Sequence, residues 1–525
     1  MNVLQTDPIP EVTEGRTRPF AVTVFILARL SAGGTLDAAR AVLAQNKTSA
    51  TVVVSDASNR TDSAAAIQAA AGTPRLALLD DESKPISDFV QTDKDWCVFL
   101  RSDDAAATVW SSAAIDCAES LGADIIIGEN GSQLPHLYDI PDVETLRKAL
   151  QRDPQRVAIR AKHLAGDASS PAQVFRELQN VLQSCFGKAD RLIAASALET
   201  LTPEAIAPFI PLPAHSNSKL AVGICTYNRL GGLKRVLASI GRQRLAGRVD
   251  ADVSVIVVDN SPNGSAARIG QAYCPRFEFR YVGEPRKGLS NARNAAIAEA
   301  VSIGATRLAF IDDDEMASGD WLQKLDEAMD CTGAAMVAGP SLPAFAAPPP
   351  SWLPVECYTY RPAVLSRFVT DASSANVLVD ITRLQKFDIR FDDAFNETGG
   401  EDTHLIAQLL DKGQKIAWCE SAYVWDAIPA ARMHPPWLFR RWYRTGITEA
   451  RLINLRTGGP SAMLKNIGKG LLRLGYGALR IIWTLATPGR AHRLVASAFT
   501  ICRGAGYLAG AFGRNYAEYS KSRYR

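Results

Sequence analysis

Residues 307–315 read RLAFIDDDE, with four apolar side chains, Leu308 to Ile311, set directly before Asp312, Asp313, Asp314 and Glu315. A short apolar run of that kind reads as a buried parallel strand that delivers polar side chains at its carboxyl end. In open α/β sheets ligands settle outside the carboxyl ends of the strands, so the acids mark a candidate site. Three adjacent carboxylates repel one another unless a cation is present or one is protonated. Mg2+ or Mn2+ meets that requirement, because each takes oxygen ligands and completes its shell with water and phosphate. An acidic surface turn without a ligand is the plainer alternative.

Working outward, residues 222–229, VGICTYNR, and 255–261, VIVVDNS, have the same form. The first ends in Thr226, Tyr227, Asn228 and Arg229, the second in Asp259 and Asn260. Helical stretches, Gly232 to Gln243 and Ser290 to Val301, follow in the pattern of β-α-β units. An earlier part of the chain repeats the rhythm: VTVFILARL (22–30) parallels 222–230, VVVSDAS (52–58) parallels 255–261, and CVFLRSDDA (97–105) parallels 307–315. The fold class expected is therefore α/β, with two similar domains in tandem, although any two α/β domains share some of this rhythm. The expected boundaries are 1–140 for the first domain, 141–217 for a mainly helical segment and linker, 218–445 for the second domain and 446–525 for a helical tail. The linker is placed at Pro203 to Ser218, where Pro208, Pro211 and Pro213 stop a helix. Residues 339–363 hold seven prolines and read as a long loop, either a connector or a substrate cover.

Bulk properties narrow the class. At 525 residues the chain exceeds one ordinary core. Its nine cysteines are odd in number and free of any C-x-x-C pair, which argues against a disulfide framework or a structural zinc site and for a reducing, cytoplasmic setting. The N-terminus lacks the basic-then-apolar pattern of a secretory signal. Arg480 and Arg503 interrupt the two most apolar stretches, so no spanning helix is expected. Residues 429–525 hold 17 Lys/Arg against two acids, Glu449 and Glu518, leaving 41 against 53 in the rest. A basic tail on an acidic body suits a solvated face, an anionic lipid surface or a diphosphate.

The strings VGICTYNR, VVDNS, GLSNARNAA, FIDDDE and NETGGEDTHL, in that order and spacing over about residues 218–445, resemble glycosyltransferase family 2, in particular its bacterial exopolysaccharide and lipopolysaccharide branch. The resemblance implies a GT-A (nucleotide-diphospho-sugar transferase, Rossmann-like) fold and a nucleotide-sugar donor. It also implies roles by position. Asp259 corresponds to the acid that accepts from the base, with Thr226, Asn228 and Arg229 lining the same pocket. Arg293 is expected on a phosphate or paired with Asp259, at the start of a helix for which Ser290 is a plausible cap. Asp312 matches the ribose contact, Asp313 the variable middle position and Asp314 the metal ligand, while Glu315 points either at the donor sugar or at solvent. In Gly399-Gly400-Glu401-Asp402, acids open a helix whose dipole keeps them ionised. Asp402 is the favoured base, with Glu401 the alternative and a plain helix cap the bland reading. In the closing segment Arg441 and Trp442 match residues that hold acceptor and diphosphate, although Leu438 replaces the usual Gln. His434 is either a metal ligand or a surface histidine. Arg440 and Arg444 are further candidates for a diphosphate or for lipid headgroups.

The expectation is an inverting, metal-dependent sugar transfer from a nucleotide-diphosphate sugar, UDP-linked, to a lipid-linked oligosaccharide or polysaccharide. No nucleic-acid partner is expected, and an inner-membrane surface is a candidate partner. One proton acceptor opposite the leaving group implies single displacement. The alternatives are nucleotidyl transfer, which lacks its Gly-rich loop at Thr226 to Arg229, and a non-catalytic scaffold. In the first domain Ser102 stands in place of Asp312 and Ala28 in place of Asn228, while Asp56 and Asp104 remain, so that copy reads as degenerate. From 464 onward Leu464, Ile467, Leu471, Leu474, Ile482 and Leu485 fall on one helical face and Lys465, Lys469, Arg473 and Arg480 on another, as in an interfacial helix or one packed on the body.

Overall fold

The computed structural model describes residues 219–514, apart from 246–251, 268, 361–367, 397 and 486–489, and before them mainly eight strands with a few neighbouring residues. Ala28, Asp56, Ser102, Asp104, the linker 203–218 and Glu397 therefore lie outside the described residues. The early strands are β1 (Val22–Leu27), β2 (Ala50–Ser55), β3 (Leu76–Leu78), β4 (Trp96–Arg101), β5 (Ile125–Glu129), β6 (His136–Asp139), β7 (Arg156–Arg160) and β8 (Leu192–Ser196). The later ones are β9 (Leu220–Thr226), β10 (Val253–Asp259), β11 (Glu278–Gly283), β12 (Arg307–Ile311), β13 (Glu315–Ala317), β14 (Met336–Ala338), β15 (Ser341–Phe345), β16 (Phe368–Val369), β17 (Asn376–Asp380), β18 (Ile416–Trp418) and β19 (Val424–Ile428).

The chain forms two compact units, the first ending at Ala195 and the second taking residues 119–121, 131–141 and 196–525. In the first, the strand order is β8-β5-β7-β4-β1-β2-β3. Strands β1, β2, β3 and β4 run parallel to one another, and β7 is antiparallel to both β4 and β5. Val24, Trp96, Val98, Ile126, Val157 and Ile159 are buried in its core. Strands β7 and β8 fall in the stretch expected to be mainly helical, which therefore also contains strand. Their apolar runs, RVAIR and LIAAS, are too short to separate strand from helix by periodicity alone.

The second unit has a sheet in the order β11-β10-β9-β12-β17-β14-β18-β16. Strands β9, β10, β11 and β12 are parallel, and β17 is antiparallel to both β12 and β14. Read from β3 to β5 and from β11 to β14, the two sheets have the same order and the same strand directions. The central strands β9 and β10 are buried almost throughout, as a parallel sheet covered on both faces requires. Helix α1 (Leu230–Gly241) covers one face through Leu233, Val236, Leu237 and Ile240, spaced at helical intervals. Helix α2 (Leu289–Ser302) turns Ala292, Ala296 and Ala300 to the other face, small side chains that bring its backbone close to the strands. Helices α3 (Trp321–Thr332) and α4 (Glu401–Asp411) complete the layers.

Residues 339–363 are not simply a loop, because β15 pairs in parallel with β19 over its whole length. Pro343 is tolerated because pairing with β6, on the other side, involves only Ala344 and Phe345. Downstream, Tyr358 is buried beside Phe345 and stacks on Trp437, with centroids 6.1 Å apart. Helix α5 (Pro435–Thr457) runs through the boundary expected at 445, and α6 (Gly459–Leu485) and α7 (Arg490–Ala511) follow. Among the described residues one helix, Arg493–Ala511, is long and apolar enough to cross a membrane by length and composition. The charge of Arg503 within it is met by an ion pair with Glu449.

Candidate active site

The carboxyl ends of β9, β10 and β12 bring the sequence-predicted residues to one edge of the sheet. Thr226, the last residue of β9, donates from Oγ1 to Asp313 Oδ2 at 2.8 Å. Arg229 Nη1 lies 3.0 Å from both Asp313 Oδ1 and Asp314 Oδ2. Arg432, from the turn Ala430–Arg432 before α5, reaches the same Asp314 oxygen at 3.0 Å. The repulsion within the triplet is thus offset by guanidinium groups on both sides. Burial, only partly opposed by Arg229, still pushes the Asp313 carboxyl up to about 6. Glu315 points inward, neither at a sugar site nor at solvent, accepting from Asp312 N at 3.1 Å and from Ser341 Oγ at 3.0 Å. Its burial, with Asp312 and Asp426 nearby, holds it well above the usual carboxylate range.

Arg293 is the connecting residue. It is buried on the first turns of α2 because the alanine face holds that helix against the sheet. Its Nη1 donates to Glu401 Oε1 at 2.5 Å and its Nη2 to Asp312 Oδ1 at 3.2 Å. The expected alternative, a pair with Asp259, does not form. Burial works against the Arg293 charge, but Glu401 and Asp312 outweigh it and raise its affinity for the proton. Burial pushes the Glu401 carboxyl up to about 7 against the pull of Arg293, and Glu401 Oε2 is buried without a partner. Asp402, beside it in the first turn of α4, is half-buried. Its Oδ1 accepts from Thr403 N at 2.7 Å.

Two features of the nucleotide side were not foreseen from the sequence. Asp259 is buried, and its carboxylate is engaged by its own turn: Oδ1 accepts from Ser261 N at 2.9 Å and from Ser261 Oγ, and Oδ2 accepts from Ala266 N at 2.7 Å. Ser290 does not cap α2. That position belongs to Gly288, while Ser290 Oγ donates to Asp392 O at 2.8 Å. Gly288 has φ 143°, and a Cβ there would stand 2.1 Å from Asn396 Oδ1, so no other residue fits the approach of this turn to Asn396.

A cavity of about 130 Å³ opens here, lined by Thr226, Tyr227, Arg229, Asn260, Lys287 and Asp313 among others. Asn260, rather than Asp259, faces it, with its amide fixed by Glu284 O and Gly288 N. Asn228 is exposed at φ 55° and does not line it. A larger cavity of about 660 Å³ is lined by Arg293, Glu401, Asp402, Asp371, Arg441, Arg444 and further residues. Leu289 and Asp312 line both cavities, which therefore meet at the first acid of the triplet.

The closing segment divides. Arg441 faces the larger cavity over the Trp437 ring at 5.2 Å, and burial lowers its hold on the proton, with Asp426 only partly offsetting this. Trp442 is buried in the helical core, edge-on to Phe499 at 5.2 Å, and it lines neither cavity. His434 is an exposed residue ahead of α5. Among the described residues no set of three or more His, Cys, Asp or Glu converges as a metal site. The sequence reading missed Asp426 and Arg432. Asp426 ends the site's edge on β19, opposite Glu315 across the β13 pairing. Burial and the nearby Asp314 push its carboxyl up to about 7, and its Oδ1 is buried without a hydrogen-bond partner. A lone acid inside the apolar string VWDAI was the only signal.

Residues 221–384 match the family described as Glycosyl transferase family 2. The chain is 29% identical over 284 residues to the succinoglycan biosynthesis protein ExoM of Rhizobium meliloti (strain 1021), covering 54% of this chain and 84% of that one. Among solved structures it is similar to the mannosyltransferase PcManGT from Pyrobaculum calidifontis in complex with GDP-Man and Mn2+, at 16% identity over 59% of this chain and 80% of that one, with a TM-score of 0.36. It is also similar to S. aureus TarS, at 14% identity over 55% of this chain, with a TM-score of 0.33; it spans about half, 54%, of TarS. The ordered strand-end residues, the family match over residues 221–384 and the similarity to ExoM together identify a glycosyl transferase family 2 domain within this chain.

Proposed function

We propose that the chain is an inverting, metal-dependent GT-A transferase that moves a sugar from a nucleotide-diphosphate sugar, UDP-linked, to a lipid-linked or polysaccharide acceptor in bacterial surface-polysaccharide assembly. The observation that carries this reading is the meeting of two cavities at Asp312, one bordered by Thr226, Arg229 and Lys287, the other by Asp402. The smaller takes the nucleotide, and the larger the acceptor. The family name and the relative's role in succinoglycan biosynthesis support the substrate class.

Asp402 is the base in this reading because Glu401 is tied to Arg293. The acceptor hydroxyl gives its proton to Asp402 while its oxygen bonds to the anomeric carbon. The bond from that carbon to the diphosphate breaks in the same displacement, which inverts the centre. Arg229 and Arg432, now shared on Asp314, supply positive charge to the diphosphate. Asp314 and Asp426 fit a divalent cation: both are oxygen donors, and Asp426 has an orphaned buried oxygen. Such a cation would offset charge developing on the departing group. The matching strand order of the two sheets supports reading the first unit as a degenerate copy of the second.

The test is transfer and donor hydrolysis with a panel of UDP-sugars and Mn2+, comparing the wild type with Asp314→Ala and Asp402→Asn. Asp402→Asn is expected to keep UDP affinity and lose at least about 100-fold in rate. Asp314→Ala is expected to lose Mn2+-dependent UDP binding as well. Equal rates in all three proteins overturn the assigned roles.

A further inference from the structure

Helices α6 and α7 invert the arrangement of a helix pair packed in water. Their contact is made by small residues: a Cβ on Gly477 would stand 2.5 Å from Ile501 Cγ1, and one on Gly504 would stand 2.9 Å from Gly470 O. On the other flank of α7, a Cβ on Gly506 would stand 2.1 Å from Tyr443 O of α5. The large apolar side chains of α6 point outward instead. Leu464 is 69% exposed, Leu472 73%, Leu479 66%, Ile482 66% and Trp483 63%. In water large side chains belong in the contact and small ones outside, since each buried leucine contributes about 1.5–3 kcal/mol. In lipid that drive is absent, and helices associate through close backbone contact between small residues. A continuous exposed apolar stripe of this length marks a binding surface.

Charge identifies the occupant. Lys465, Lys469, Arg473 and Arg480 recur along α6, and neither 459–485 nor 490–511 contains an aspartate or glutamate. That is complementary to anionic headgroups and does not suit an acid-and-base protein interface. The recurring cations leave α6 no uncharged stretch of the roughly 20 residues needed for spanning, so it lies in the plane of the interface. We propose that the outward face of α6 seats the chain on an anionic lipid bilayer, with Leu464, Leu472, Leu479, Ile482 and Trp483 among the acyl chains and its lysines and arginines at the phosphates. Arg444 and Arg456 of α5 and Arg503 of α7 line the larger cavity, so the helices on which α6 packs also border that cavity. The role of that cavity belongs to the acceptor reading above; the seating does not rest on it.

The experiment uses the full chain with sedimented vesicles of phosphatidylglycerol and phosphatidylcholine, or of phosphatidylcholine alone. The wild type is expected to bind the anionic vesicles, to release as salt rises, and to show Trp fluorescence quenched by brominated acyl chains. Leu472→Glu with Leu479→Glu, both at exposed positions, is expected to lower vesicle affinity at least about tenfold. Lys465→Glu with Lys469→Glu should remove the preference for anionic lipid, and Trp483→Phe the quenched component. Undiminished binding by both double variants overturns the proposal. So does a wild type that remains in the supernatant, or one that is a dimer dissociated by Leu472→Glu, since the face then belongs to a second copy. Transfer to a water-soluble acceptor is expected to survive Leu472→Glu with Leu479→Glu, whereas Asp402→Asn abolishes transfer and leaves vesicle binding intact, which separates the two readings.

Discussion

Arg293 donates to Glu401 on one side and to Asp312 on the other, from a position almost closed to water. Replacing it by methionine leaves two acids without their cation, and breaking a buried pair in this way costs about 3–5 kcal/mol. Urea unfolding of Arg293→Met should show a loss of that size. Glu401 has its proton affinity raised by burial to about 7, so the folded state holds a proton that the unfolded chain, with its ordinary carboxyl, releases. The associated stability is present in acid, below the unfolded value, and is lost as pH rises through about 7. Glu401→Gln, neutral at every pH, is expected to flatten the decline in urea midpoint between pH 5 and pH 8. Residue by residue, Asp259 and the triplet were legible because they end apolar strands, and Glu401 and Asp402 because they open a helix after two glycines; Asp426, inside β19, was not. Their cationic partners were not: Arg229 lies 84 positions from Asp313 and Arg432 118 from Asp314.

At the scale of elements, the turn before α2 and the contact of α5 with α7 each depend on a missing side chain. Gly288→Ala places a Cβ against Asn396 and requires a positive φ, so it should weaken UDP binding more than it lowers stability, because the displaced turn carries Lys287 into the smaller cavity. Isothermal titration with UDP and Mn2+ checks this. Gly506→Ala drives a methyl group against Tyr443 O, an overpacking that costs about 1–3 kcal/mol. Its thermal midpoint should fall by roughly 5 °C. The β-strands were read well where apolar runs ended in polar residues. Strand β15 was hidden by its proline, and β7 and β8 by their brevity, because pairing partners far along the chain make a strand of a segment whose local pattern is ambiguous.

At the scale of the molecule, a ligand that binds only the folded state stabilises it by mass action. UDP with Mn2+ at about 100 times its dissociation constant should add roughly 3 kcal/mol to the second unit, and a chelator should remove the gain. Calorimetry resolving two transitions would show the shift in one of them, since the chain divides into two compact units. The sequence by itself determined the α/β class, the order of the strands that end in acids and the resemblance of residues 221–384 to their family, because burial of apolar strands and delivery of polar side chains at their ends are written in local spacing. Only the tertiary structure decided which cations neutralise the triplet, that Asp259 is engaged by its own turn, that Asp426 joins the site, and which face of α6 turns outward. Those outcomes depend on side chains brought together by the sheet and on glycines that let helix backbones touch. Helical periodicity can define a face, but only packing decides which side of the helix is covered.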